Sequence, residues 1–210
     1  MNAATQKITL QGRAGAIEAL LDLPAGAPCG TAVIAHPHPL FGGSMSNKVV
    51  QTLARAFVQT GWRALRFNFR GVGASEGAYD EGRGEAADML EVIRQQAPEG
   101  PLALAGVSIG AFVTSHAVAG IAPRQPDKIV LVGTAASRFA VAPLAPELHE
   151  RTLVLHGEQD DTVALSSVMD WARPQGLPVT VIPGVEHFFH GQLPLLKSLV
   201  VRHLWAPVQA

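Results

Sequence analysis

The chain is poor in several features that mark whole protein classes. Of its 210 residues one is cysteine, so no intramolecular disulfide can form and a disulfide-stapled scaffold is excluded. Cys29 reads as a small loop hydrophobe. Charge is scarce and balanced: 16 Lys and Arg against 17 Asp and Glu give a formal net charge of −1. That leaves no basic face for the phosphates of DNA or RNA. No apolar run approaches the length of a membrane span. The segment from Met1 to Lys7 lacks the basic-then-apolar layout of a signal peptide. Repeats and low-complexity tails are absent too. Together these absences point to a cytoplasmic protein with neither nucleic acid nor membrane as partner. One good core suits this length, so a single domain over residues 1–210 is expected. Nothing here fixes an oligomeric state.

What is present is an alternation of strands and helices. Lys7 to Leu23 carries short alternating segments around Gly12 and Gly15, the pattern of an edge hairpin. Apolar strands are expected at Thr31–Ala35, Arg63–Phe69, Leu102–Ala105, Lys128–Val132, Thr152–Leu155 and Val179–Ile182. Between them, Val49, Val50, Leu53, Phe57 and Val58 recur at helical spacing, which predicts a helix from about Lys48 to Thr60. A further helix is predicted near Glu85 to Gln96. Leu193, Leu196, Val200 and Leu204 give a last helix one apolar face. Strands alternating with helices build an α/β fold with a mainly parallel sheet covered on both faces. The stretch from Ser137 to Glu150 is too short for a substantial lid.

Gly106-Val107-Ser108-Ile109-Gly110 is the most informative stretch. It lies between a predicted strand and a predicted helix, which makes it a nucleophile elbow rather than an ordinary glycine-serine turn. The turn strains Ser108 and lifts its hydroxyl above the sheet edge. Side chains at 106 and 110 would collide where strand and helix pass, hence glycine at both. The N–H of Ile109 and the helix N-terminus face the place where an oxyanion would form. A serine hydroxyl needs a base, and the base needs an orienting carboxylate. Candidates for both follow later strands: Asp160 and Asp161 after Thr152–Leu155, and His187 after Val179–Ile182. That strand edge is where open parallel sheets place their ligands.

Two signatures sharpen this: His36-Pro37-His38-Pro39-Leu40-Phe41-Gly42-Gly43-Ser44-Met45-Ser46-Asn47-Lys48, and His187-Phe188-Phe189-His190-Gly191. With the elbow, they make the chain resemble the α/β-hydrolases, and among these the small lidless bacterial hydrolases related to dienelactone hydrolases. The similarity runs from about Ile34 to Leu204. It implies Ser108 as nucleophile, Asp160 as triad acid and His187 as base, the pattern Asp-x-x-Val favouring Asp160 over a solvated or capping Asp161. Dienelactone hydrolases carry cysteine where Ser108 stands, which turns the expectation away from their chemistry. Ala164 stands where many relatives place proline.

A second oxyanion donor is expected from the loop after the first parallel strand. Pro37 and Pro39 have no N–H, so the backbone N–H of His38 is the choice, with Leu40 as fallback. His36 reads as a buried loop anchor. The His36-x-His38 pair has no third partner at a metal-binding spacing, so neither metal nor cofactor is expected. Gly71 to Gly77 lacks the lysine of a phosphate loop and reads as a tight turn. His190 reads as a solvated helix-start residue, and His156 as structural. Ser115, His116, His149 and His203 receive no role. Leu40, Phe41 and Phe188, with Tyr79, Phe139 and Phe189, lie on active-edge loops as candidates for an acyl pocket. The expected activity is a serine carboxylesterase acting on a small or medium ester. A thioesterase or small-peptide hydrolase shares the same machinery, and a non-catalytic binding member of the fold is the contrasting class.

Overall fold

The computed structural model describes residues 5–206; the outermost residues of the expected domain, including part of the segment read for targeting, lie outside them. Eight strands form one sheet in the order β1-β2-β4-β3-β5-β6-β7-β8. The hairpin β1 (Thr5–Gly12) and β2 (Gly15–Asp22) closes where Gly12 pairs with Gly15, and β2 lies antiparallel to β4 (Arg63–Phe67). From β4 onward every neighbour is parallel: β3 (Thr31–Ala35), β5 (Leu102–Val107), β6 (Lys128–Val132), β7 (Thr152–Gly157) and β8 (Val179–Ile182).

The side-chain period of a strand sorts the core into two layers. In β5, Leu102 and Leu104 face one side, under α2 (Arg83–Gln96) and α3 (Ile109–Gly120). Ala103, Ala105 and Val107 face the other, against Leu53 and Phe57 of α1 (Lys48–Gln59) and Leu196 and Val200 of α5 (Leu193–Trp205). Small residues on the strands leave room for the bulky helix residues, each worth about 1.5–3 kcal/mol when buried. Asn47 starts α1 by accepting the amides of Val49 and Val50, at 2.8 and 3.4 Å.

Three strand ends and one helix differ from the expectation. β5 and β7 each run two residues further, to Val107 and Gly157, while β4 stops at Phe67, two residues early. Asn68 instead accepts the Met45 amide and donates to Glu18, while Phe69 N–H donates to His36. The Asn68 amide still bonds the Glu18 carbonyl of β2, but the Phe69 amide is taken by the His36 ring, which ends the ladder there. A helix the apolar pattern does not reveal, α4 (Leu165–Ala172), follows β7; only Val168 and Ala172 of it are buried, too few to mark a period. The 71–77 segment is a turn docked on the hairpin, with Ser75 Oγ taking the Glu18 amide and Glu76 the Ala16 amide.

Candidate active site

Ser108 joins β5 to α3 with φ 58° and ψ −119°, a left-handed conformation that a side chain rarely adopts. Three backbone bonds hold it there. Its N–H donates to Val132 O on β6 at 2.9 Å, and its carbonyl accepts the Ala111 amide at 3.0 Å and the Ala135 amide at 3.4 Å. A Cβ on Gly106 would overlap the Gly110 carbonyl, as the sequence suggested. Gly110 is needed for a different reason: its Cβ would run into the Ala35 carbonyl of β3 rather than into Gly106. With Ser108 N–H spent on β6, the amides of Ile109 and Gly110 open the helix, where no carbonyl four residues back is available to them.

Asp160 and His187 meet across two neighbouring strand ends. His187 Nδ1 lies 2.6 Å from Asp160 Oδ2, both side chains 1% exposed. The second carboxylate oxygen accepts the amides of Thr162 and Val163, at 3.0 and 2.7 Å. Burial pushes the Asp160 carboxyl up. The His187 hydrogen bond, the Val163 amide and the neighbouring imidazoles outweigh it and hold the carboxyl below its ordinary value. Asp161 is exposed, and its carboxylate's one hydrogen bond among the described residues is from the Thr162 hydroxyl at 3.3 Å. Ala164 adopts φ −58°, the value proline would impose, so the loop keeps a proline-like path without one.

The acid loop and the histidine loop are stitched together by Glu158 N–H to Ile182 O and Gln159 N–H to Val185 O. Gly133, which follows Val132 of β6, would place a Cβ 2.9 Å from His187 Cε1. Ser108 is bonded to Val132, so the serine and the imidazole flank the same strand end. The bond to Asp160 is the one hydrogen bond of the His187 ring among the described residues. Its Nε2 makes no hydrogen bond among the described residues, to Ser108 Oγ or to any other group; a nucleophile–base contact of this kind often tightens only as the substrate reacts.

His156, read from sequence as structural, is fully buried beneath the acid. Its Nε2 donates to Val163 O at 2.9 Å and lies 3.6 Å from Asp160 Oδ2, while Nδ1 has no partner among the described residues. Burial keeps it neutral, below its ordinary pKa, despite the nearby carboxylate. Val163 is thus gripped at both ends, by His156 at its carbonyl and Asp160 at its amide. Glu186 went unnoticed in the sequence. Its carboxylate accepts the amides of Phe188 and His190 and the His190 ring, fixing the turn that presents His187. His190 itself is 72% exposed at its side chain. The one cue was position: an acid immediately before the histidine.

His38 sits on the opposite loop. Its Nδ1 accepts the Leu40 amide at 3.3 Å, which occupies the fallback donor. The His38 amide makes no backbone bond among the described residues. The ring nitrogen Nε2 pairs with Tyr79 Oη at 3.2 Å. Burial and the Arg138 guanidinium hold the ring below its ordinary pKa. His36 is committed at both nitrogens, accepting from Phe69 N–H at 2.9 Å and bonding Pro37 O at 2.6 Å. Neither ring is arranged to share a metal.

Leu40, Phe41 and Phe188 are exposed, at 69, 76 and 37%. Phe41, Tyr79 and Phe139 ring the His38 imidazole, at centroid distances of 4.8, 5.0 and 6.3 Å. Phe189 corrects the expectation: it is fully buried at φ 56° and packs into the α1/α5 layer, so it lines no pocket. Ser115 and His116 do have roles. Ser115 Oγ accepts the Ala142 amide at 3.0 Å and His116 Nε2 bonds Ala140 O at 3.0 Å, pinning the 137–145 stretch to α3.

The profile of the serine aminopeptidase S33 family matches residues 27–148, more than half of the chain. The chain belongs to that family, within the α/β-hydrolases. This hydrolase is 33% identical to a lidless α/β serine hydrolase from Xanthomonas campestris, covering 100% of this chain and 99% of that one with a TM-score of 0.85. It is 34% identical to an α/β serine hydrolase homologue from Coxiella burnetii, covering 95% and 97% with a TM-score of 0.81. It is also similar to an uncharacterised protein of Rickettsia prowazekii, at 29% identity over 87% of this chain and 82% of the other. The kinship with dienelactone hydrolases in particular rests on the sequence signatures alone. The chain is a serine hydrolase of the α/β fold. The family match ends before Asp160 and His187, so their place in the site rests on geometry.

Proposed function

We propose that this hydrolase is a carboxylesterase for small or medium esters, working as one domain through an acyl-enzyme on Ser108. The observation that carries the reading is the buried 2.6 Å bond from His187 to Asp160 beside a serine held in a strained elbow. His187 Nε2 takes the Ser108 proton as Oγ bonds to the carbonyl carbon. The amides of Ile109 and His38 bind the oxyanion that forms. Collapse breaks the bond to the leaving group, which departs with the proton from His187. Water then attacks the acyl carbon, gives His187 a proton, and releases the acid as Ser108 regains its hydrogen. Asp160 keeps the imidazole oriented and stabilises its charged form. No step calls for a metal or cofactor.

A short acyl group is favoured by the pinned 137–145 stretch, which leaves only exposed rim residues to cover a tail. Each methylene needs full enclosure to contribute its roughly 0.8 kcal/mol. A peptide-hydrolase reading draws on the family's description as serine aminopeptidases. A panel of nitrophenyl esters of rising chain length, acyl-CoAs and aminoacyl anilides separates these readings. Short nitrophenyl esters are expected to react fastest, with kcat/KM flat or falling by medium lengths. Faster cleavage of anilides, or a steady rise out to long chains, would replace the esterase reading. We also propose a cytoplasmic location; no helix of the described residues is long and apolar enough to cross a membrane.

A further inference from the structure

On the proposed mechanism His187 must hand its proton to the departing atom, so the leaving group emerges on the His187 side of Ser108. Past His187 lies Phe188, its ring 4.8 Å away. Beyond Phe188 runs an open groove of about 370 Å³, walled by Gly42, Ser44, Ser46 and Lys48 on one side and by Phe188 and His190 on the other. One wall continues the loop of His38, whose carbonyl accepts the Gly43 amide at 3.0 Å. The other wall continues the loop of His187. The groove therefore leads away from between the two loops that flank the serine.

Its lining differs sharply from the His38 side. There Phe41, Tyr79 and Phe139 present rings; here Ser44, Ser46 and Lys48 stand beside the apolar Val49, Phe188 and Leu193. Lys48 is exposed and has no ion-pair partner among the described residues. The nearby acid, Glu186, spends both oxygens on the Phe188 amide and on the amide and ring of His190. Lys48 thus stands in the groove as a cation with no ion-pair partner among the described residues.

We propose that this groove is the leaving-group subsite and that it favours alcohols or thiols bearing a carboxylate or phosphate, with the apolar acyl group lying against the rings around His38. The proposal rests on the esterase reading above. The test compares two acetyl esters, 4-nitrophenyl acetate and its ring-carboxylated analogue, each corrected for its rate in buffer. Both give the same acetyl-enzyme, so a leaving-group subsite is read on kcat/KM, which reports acylation. The carboxylated ester is expected to gain about three- to fivefold, the size of one solvent-facing ion pair. That ratio should shrink with added salt, vanish in Lys48→Gln and invert in Lys48→Glu. A 4-nitrophenyl ester with its carboxylate on the acyl side, such as the succinate, should gain nothing. Cleavage of both acetates without preference, a preference that survives Lys48→Gln, or a gain for the succinate instead would overturn the subsite while leaving the esterase standing. A wild-type protein that cleaves neither acetate would overturn both.

Discussion

Asp160 and His187 show 1% of their side-chain surface to solvent, whereas Leu40 and Phe41, beside the proposed oxyanion donor His38, are 69% and 76% exposed. The first pair is held by a ladder of short bonds: His187 to Asp160, Asp160 to two amides, His156 to Val163, and two backbone bonds joining the loops. The second region has its own turn bonds, with the His38 carbonyl accepting the Phe41 and Gly43 amides and the His38 ring bonded to the Leu40 amide and Tyr79 Oη, but its side chains face solvent. In a buried, low-dielectric setting a misplaced charge is expensive, so the groups assigned to proton transfer are fixed. Groups at the rim contact solvent on most of their surface, and their replacement is cheap. On the proposed mechanism, chemistry belongs to the first region and selectivity to the second.

The comparison predicts a steep gradient of effects. Ser108→Ala and His187→Ala are each expected to lower kcat by roughly three to six orders of magnitude, and Asp160→Asn by somewhat less. Asp161→Asn, in solvent one residue away, is expected to be nearly silent. A large loss at Asp161 with little at Asp160 would reverse the assignment. Next comes His156→Leu, which frees the Val163 carbonyl and loosens the acid loop. Steady-state kinetics on the folded variant should show kcat down by about ten- to a hundredfold, as for a small misplacement of a catalytic group, with KM little changed. An unchanged kcat would mean that the acid loop holds its shape without His156.

A smaller, global effect comes from buried imidazoles. Burial pushes His36 and His203 down to about 4, from an ordinary 6.5. The unfolded chain therefore takes up their protons first as pH falls. Stability present above about 6.5 is lost progressively down to about 4, by at most about 3 kcal/mol for His36 and less for the more exposed His203. Asp160, held below its ordinary value, extends the loss to lower pH. Urea midpoints measured from pH 7 to 4.5 should fall, and fall less steeply in His203→Gln. A flat wild-type profile would contradict neutral, buried histidines. Smallest of all, Phe41→Ala should change kcat/KM for short esters by no more than a few-fold, since an exposed side chain is worth within about 0.5 kcal/mol. A loss of a hundredfold there would erase the contrast between rim and core.

Much of this arrangement is legible in the residues because local chemistry dictates it. The elbow requires glycine at 106 and 110, and the unbroken apolar runs of β3 and β5 are a direct image of burial on both faces. The lone amide between Pro37 and Pro39 is legible for the same reason, since proline cannot donate. What escapes is non-local. Glu186 gains its importance from where the Phe188 and His190 amides turn. Ser115 and His116 act on a segment about 25 residues further along the chain. Phe189 shares its loop with Phe188, yet a left-handed φ sends it inward, which no hydropathy pattern encodes. Helix α4 buries two residues and leaves no period to read.

The central claim is that Ser108 is a nucleophile activated by His187. Treatment with a fluorophosphonate followed by intact-mass and peptide analysis tests it most directly. The account predicts a single adduct on the peptide containing Ser108, absent in Ser108→Ala and formed far more slowly in His187→Ala. A folded wild-type protein that stays unlabelled, or an adduct on another residue that persists in Ser108→Ala, would contradict it.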